Sequence, residues 1–131
     1  MHQKEVRIFE LGIERLQGGS FHAYKENDSL FIQRSSKGAI FEQPTTKMIQ
    51  HPNWALFFNV MKQHTIWNLE KEYGADLVAT LWWHINIETT DQKVVSCGIN
   101  LFPDHKPIDS SPFYISLKEA MKQMTNITMP K

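Results

Sequence analysis

Between residues 78 and 102 the chain reads VATLWWHINIETTDQKVVSCGINLF, and no other stretch limits the fold as tightly. Ala79, Leu81, Trp83, Ile85 and Ile87 fall on alternate positions, the period of a strand with one buried face. The turn-forming TTDQ follows, and KVVSCGINLF returns with Val95, Cys97, Ile99 and Leu101 alternating. Together the two runs predict a β-hairpin. A loop of odd length pairs Ile87 with Val95, Ile85 with Cys97, Trp83 with Ile99 and Leu81 with Leu101, apolar against apolar throughout. A two-residue loop pairs Ile85 with Ser96 and buries Ser96 and Asn100. A one-residue slip moves every side chain to the other face, so the apolar register is the expectation.

That register gives the hairpin a second face, with Trp82 opposite Asn100, His84 opposite Gly98 and Asn86 opposite Ser96. The face is polar except for one large aromatic, and Gly98 leaves a notch beside the His84 imidazole. Tryptophan brings both area and an N–H to an interface. Trp82, His84, Asn86, Ser96 and Asn100 are therefore the candidate binding surface. The competing reading packs Trp82 beneath the N-terminal hairpin or a loop, with Gly98 relieving the crowding.

The rest of the chain supplies the partners of this hairpin. SFHAYK, the turn ENDS and LFIQRS read as a second hairpin. In VRIFELGIERL, Phe9, Leu11 and Ile13 alternate, while Val6, Phe9, Ile13 and Leu16 fit a helix. Gly12 and the following QGGS favour a strand, and residues 5 to 16 stay open between the two. FEQPTTK reads as a loop because Pro44 and two threonines punctuate it.

HPNWALFFNVMKQH predicts a helix, with Trp54, Phe57, Phe58 and Met61 on one stripe and Pro52 at its start. TIWNLEKEYG alternates through Trp67, Leu69, Lys71 and Tyr73 and reads as a short strand. A last helix carries Phe113, Leu117, Ala120, Met121 and Met124 inward, with Ser111 as N-cap and Pro112 in the first turn. A later start at a Ser116–Glu119 capping box leaves the same buried face. The sum is a single α+β domain over residues 1–131. It has two layers, an antiparallel sheet of hairpins packed on two amphipathic helices, with the other sheet face at least partly open.

The chain has 131 residues, and its 14 Lys and Arg balance 14 Asp and Glu. Zero net charge without a dense basic cluster argues against nucleic acid and against an anionic membrane as partners. No apolar run suits a membrane span or a signal peptide, so a cytoplasmic protein is expected. Cys97 is the only cysteine, which excludes an intramolecular disulfide and a CxxC zinc pair; on the apolar face it is expected to be an inert core thiol. HxxxH, HxH, HExxH, GxSxG and GK[ST] are absent, so no metal, cofactor or catalytic residue is assigned.

The segment WWHINIETTDQKVVSCGINLFPD, followed by FYISLKEAMKQM, resembles small bacterial proteins of unassigned function. Their C-terminal half runs Trp-x-aliphatic-x-aliphatic, a turn, a strand ending Gly-x-Asn-x-aromatic-Pro, and a short helix. Here those positions are Trp83, Ile85, Ile87, Gly98, Asn100, Phe102 and Pro103. Where such proteins carry Asp-Gly shortly before the tryptophan, this chain has Ala79, Thr80 and a second tryptophan. The resemblance implies an α+β fold and no activity.

Three functional expectations follow from the residues. The first is a non-enzymatic interaction module, of immunity or adaptor type, that binds another protein through the open sheet face. The second is a small-molecule binder or hydrolase using His84 and His22 in a pocket lined by Trp82 and Tyr24, since His22 alternates with Ser20 and Tyr24 and can share that face. The third is a homodimer joined through the Trp82 face.

Overall fold

In a computed structural model the protein is described over residues 5–16, 18–35, 45–74 and 76–130. Its strands are β1 (Val6–Arg15), β2 (Ser20–Glu26), β3 (Ser29–Ser35), β4 (Thr45–Gln50), β5 (Glu72–Tyr73), β6 (Leu81–Thr89) and β7 (Lys93–Ile99). Helix α1 (Trp54–Met61) lies between β4 and β5, and α2 (Pro112–Thr125) follows β7. The strand order is β4-β3-β2-β1-β6-β7-β5, antiparallel except for the parallel pair of β5 with β7. This is the expected two-layer α+β arrangement, with both helices on one face of the sheet. Phe9 of β1 meets Trp54 and Phe57 of α1, and Phe102 after β7 meets Phe113 and Tyr114 of α2.

Residues 5 to 16, left open between helix and strand, are a strand. Phe9, Leu11 and Ile13 are buried together, as alternation requires. Both amphipathic helices form where their stripes predict them. Ser111 caps α2, its hydroxyl accepting from Tyr114 N–H at 3.0 Å and donating to Asp104. Pro112 opens the helix, so the start at Ser116 is not used. The Tyr114 hydroxyl, its pKa raised by burial, donates to the Pro130 carbonyl and fixes the tail that buries Ile127 and Met129.

Two expectations for the middle of the chain are corrected. Thr45, Thr46 and Lys47, read as the end of a loop, open strand β4, because threonine suits a pleated edge as well as a turn; residues 41–44 lie outside the described residues. TIWNLEKEYG is mostly not strand. It begins at Thr65 in the left-handed region, which joins a 3-10 turn at Ile66–Asn68 to the 3-10 turn Lys62–His64 that ends the preceding helical segment, and only Glu72–Tyr73 pairs with the sheet.

The central hairpin adopts the register that its apolar pattern argued against. Ile85 faces Ser96, Trp83 faces Gly98 and Ile87 faces Val94. Thr89 and Gln92 close the turn, with Thr89 N–H donating to the Gln92 carbonyl at 2.8 Å and Gln92 N–H to Thr89 Oγ1 at 3.2 Å. Val94, Ser96 and Gly98 therefore point into the core, and Val95 and Cys97 point out. Two side chains make this register the better one. Ser96 is buried but not orphaned, because its hydroxyl donates to the Glu70 carbonyl at 2.5 Å. Gly98 gives up its Cβ volume to the Trp83 indole, whose Nε1–H donates to the Leu101 carbonyl at 2.8 Å and whose ring stacks on Phe102.

Asn100 ends β7 in the left-handed region, at φ 62°. Its amide oxygen accepts from Thr80 N–H, Thr80 Oγ1–H and Leu81 N–H at 2.9 to 3.0 Å, and its Nδ2–H donates to the Val78 carbonyl at 2.7 Å. The residue clamps the start of β6 to the end of β7. Asn100→Ala loses all four bonds and keeps an unfavourable φ, and is expected to destabilise by roughly 2–3 kcal/mol in urea titration. Asn100→Gly, which relieves only the backbone, should recover a minor part of that loss.

Candidate functional site: the uncovered sheet face

Alternation fixes which side chains stand on the sheet face away from the helices, and register fixes which of them are neighbours. Pairing runs His22–Gly12–His84–Cys97 across β2, β1, β6 and β7 in one row. A second row runs Met48–Phe31–Tyr24–Glu10–Asn86–Val95, and a third holds Glu14, Trp82 and Ile99. Among the described residues no element covers these rows. Trp82 is 40% exposed, Met48 50% and Val95 53%, whereas Trp83 on the other face is 3% exposed. Trp82 is therefore not packed beneath the N-terminal hairpin.

Three of the five sequence-expected residues, Trp82, His84 and Asn86, share this face. Ser96 and Asn100 do not. Ser96 is turned into the core by the register, and Asn100 is occupied by its backbone clamp. Cys97, expected in the core, stands exposed on the open face instead. The notch beside His84 is also supplied by a different glycine. A Cβ on Gly12 would lie 2.2 Å from His84 Cε1, so the imidazole lies across the bare backbone of β1. That position brings His84 to His22, with ring centroids 5.8 Å apart. His22 Nε2 lies 3.3 Å from Glu14 Oε1; a carboxylate only accepts, so the imidazole is the donor.

Thr89 N–H to Gln92 O and Asn100 N–H to Leu81 O put the bonded pairs of the hairpin at odd positions of β6. His84 and Cys97 are thus a non-hydrogen-bonded pair, with Cβ atoms about 4.5–5.5 Å apart. No hydrogen bond joins them, because the ring leans toward β2 and the Cys97 thiol faces the Lys71 carbonyl at 3.5 Å. On this side of His84 lies a shallow groove of about 340 Å³, lined by Glu10, His84, Asn86, Val95 and Cys97 among others. It is not the pocket lined by Trp82 and Tyr24 that a two-histidine hydrolase would need. The buried Asn86 Oδ1 at its wall has no hydrogen-bond partner. Among the described residues no group of three or more His, Cys, Asp or Glu side chains could hold a metal ion.

Desolvation against Gly12 lowers the His84 pKa from 6.5; His22 lowers it further, and Glu10 and Glu14 partly oppose this. The unfolded chain then takes up a proton first as pH falls below 6.5. Stability contributed at this site is complete above pH 6.5 and is lost progressively down to the lower, folded pKa. Urea midpoints at pH 7.5 and pH 5 should show this loss, and His84→Asn should reduce the difference. In Gly12→Ala the ring must swing outward. His84 then titrates closer to 6.5 by NMR, with a stability change below about 1 kcal/mol because the displaced group is the end of a movable side chain.

Nothing outside the molecule adds to this geometry: no family model, no curated protein and no solved structure matches the chain. No described helix is long and apolar enough to cross a membrane. What the arrangement defines is a broad sheet face carrying aromatic, imidazole, amide and carboxylate groups, backed by a rigid core.

Proposed function

We propose that the protein is a non-enzymatic, cytoplasmic interaction module, of immunity or adaptor type, that binds another protein through its uncovered sheet face. The observation that carries this is the exposure of Trp82, Met48 and Val95 on the face that no described element covers, with the Tyr24–Phe31 stack between Met48 and Val95. Single exposed apolar residues are ordinary, but several on one face of a sheet mark a contact surface. Seven strands span roughly 29 Å and the strands run roughly 20 Å, a flat footprint on the order of 600 Å² before side-chain relief. Stable complexes bury about 800 Å² per partner, so a partner would occupy the whole of this face together with its side-chain relief.

Affinity capture from a lysate of the cell that makes the protein tests the reading, with wild type compared against Trp82→Ala/His84→Ala. A protein retained by wild type and lost by the variant, with circular dichroism unchanged, supports the face as the interface. A protein retained equally by both contradicts it.

A further inference from the structure

The sheet separates charge by face. Among the described residues held in register on the open face, the acids are Glu10, Glu14, Glu26, Glu72 and Glu88, and the one base is Lys93, which sits opposite Glu88. On the helix side the registered charges are Arg15, Lys25, Arg34 and Lys47, with no acid among them. A chain with no net charge thus sets five registered carboxylates against one registered ammonium on the face that no described element covers, with Lys71 adding a base at the wall of its groove.

The acids are also placed among groups that complement a cation. Glu14 is the cross-strand neighbour of Trp82, and Glu10 lies between Tyr24 and Asn86. A carboxylate beside an exposed aromatic ring suits a guanidinium or ammonium, which gains the charge from one and the ring face from the other.

Resting on the interface reading above, we infer that the partner offers this face a basic segment, in which Arg or Lys side chains alternate with apolar ones. Arginine lies over Trp82 against Glu14, a second donor reaches Glu10, and apolar side chains cover Val95 and Met48. Opposite potentials steer such a segment to the face and fix its register. A second copy docked face to face would set carboxylates against carboxylates, so the occupant is a different chain. Nucleic acid and anionic lipid are repelled for the same reason.

The test places a photoreactive benzoylphenylalanine at Val95 in the full chain and irradiates it in native lysate, with the cross-linked peptide sequenced by mass spectrometry. The expected product carries an excess of Arg and Lys within a few residues of the cross-link. Its yield should fall roughly tenfold in Glu10→Gln/Glu14→Gln/Glu88→Gln, and comparably between about 0.05 and about 0.5 M salt. Poly-L-lysine should compete and poly-L-glutamate should not. A neutral or acidic cross-linked segment, or a yield indifferent to salt and to the triple variant, overturns the basic partner while leaving the interface in place. A cross-link to a second copy of the chain overturns the inference in favour of self-association. No product at all overturns it together with the interface reading.

Discussion

Trp83→Ala is expected to unfold the protein at moderate temperature, whereas Trp82→Ala, one residue away, leaves it folded. Trp83 is buried between Gly98, Tyr73 and Phe102, and its indole N–H is satisfied by the Leu101 carbonyl. Truncation opens a cavity the size of an indole and strands that carbonyl, at a cost of about 3–5 kcal/mol. For a domain of this length that lowers the melting temperature by roughly 10–18 °C. Trp82 loses only a half-exposed contact with the sheet, and its truncation should stay within about 1 kcal/mol. Differential scanning calorimetry of the two variants decides between them. Equal destabilisation would mean that Trp82 is core, and the open face would lose its main anchor.

Gly98→Ala is the second large effect. Its Cβ would meet Trp83 Nε1 at 2.2 Å and the Leu101 carbonyl oxygen at 2.7 Å. Neither can move cheaply, since one belongs to a ring locked on Phe102 and the other is backbone. The substitution either expels the indole or breaks its hydrogen bond, and about 3 kcal/mol of destabilisation is expected, near 10 °C in melting temperature. Trp83 fluorescence should shift red in the same variant as the ring leaves its apolar site. Gly12→Ala presents an equally short contact on the opposite face and should cost far less, because there the obstructing atoms end a movable side chain. The pair separates a glycine needed by the core from one that only shapes the surface.

The strand faces of β6 were legible because its apolar residues alternate without interruption, and the helices because their stripes are long. The face of β7 was not. Val94 and Val95 stand side by side, so either register presents an apolar run, and the choice fell to Ser96, Gly98 and Cys97. Their placement is decided by groups distant in sequence: the Glu70 carbonyl that accepts from Ser96, and the Trp83 ring that fills the space above Gly98. Hydrophobicity ranks cysteine above serine for the core, but a hydroxyl with a partner is buried at small cost.

The same non-locality governed the site. Trp82, His84 and Asn86 share a face by simple alternation along β6, and the structure places them there. Ser96 and Asn100 were joined to them through a cross-strand register, and they separated when the register moved by one residue. Asn100 carries a local signal that composition does not weigh: an asparagine closing a strand suits the left-handed region and its amide bonds to nearby backbone. Gly12 was visible only as a residue that favoured a strand over a helix. Its role under His84 depends on β1 lying beside β6, which no local pattern announces.

The open face as interface is tested most directly by hydroxyl-radical footprinting of the protein alone and with its captured partner. If that face is the contact, oxidation of Trp82, Met48 and Cys97 should fall several-fold in the complex, while Ile115 on the exposed side of α2 and Leu77 before β6 stay unchanged. Protection of Ile115 with Trp82 still oxidised at its free rate would place the contact on the helical layer and contradict the reading.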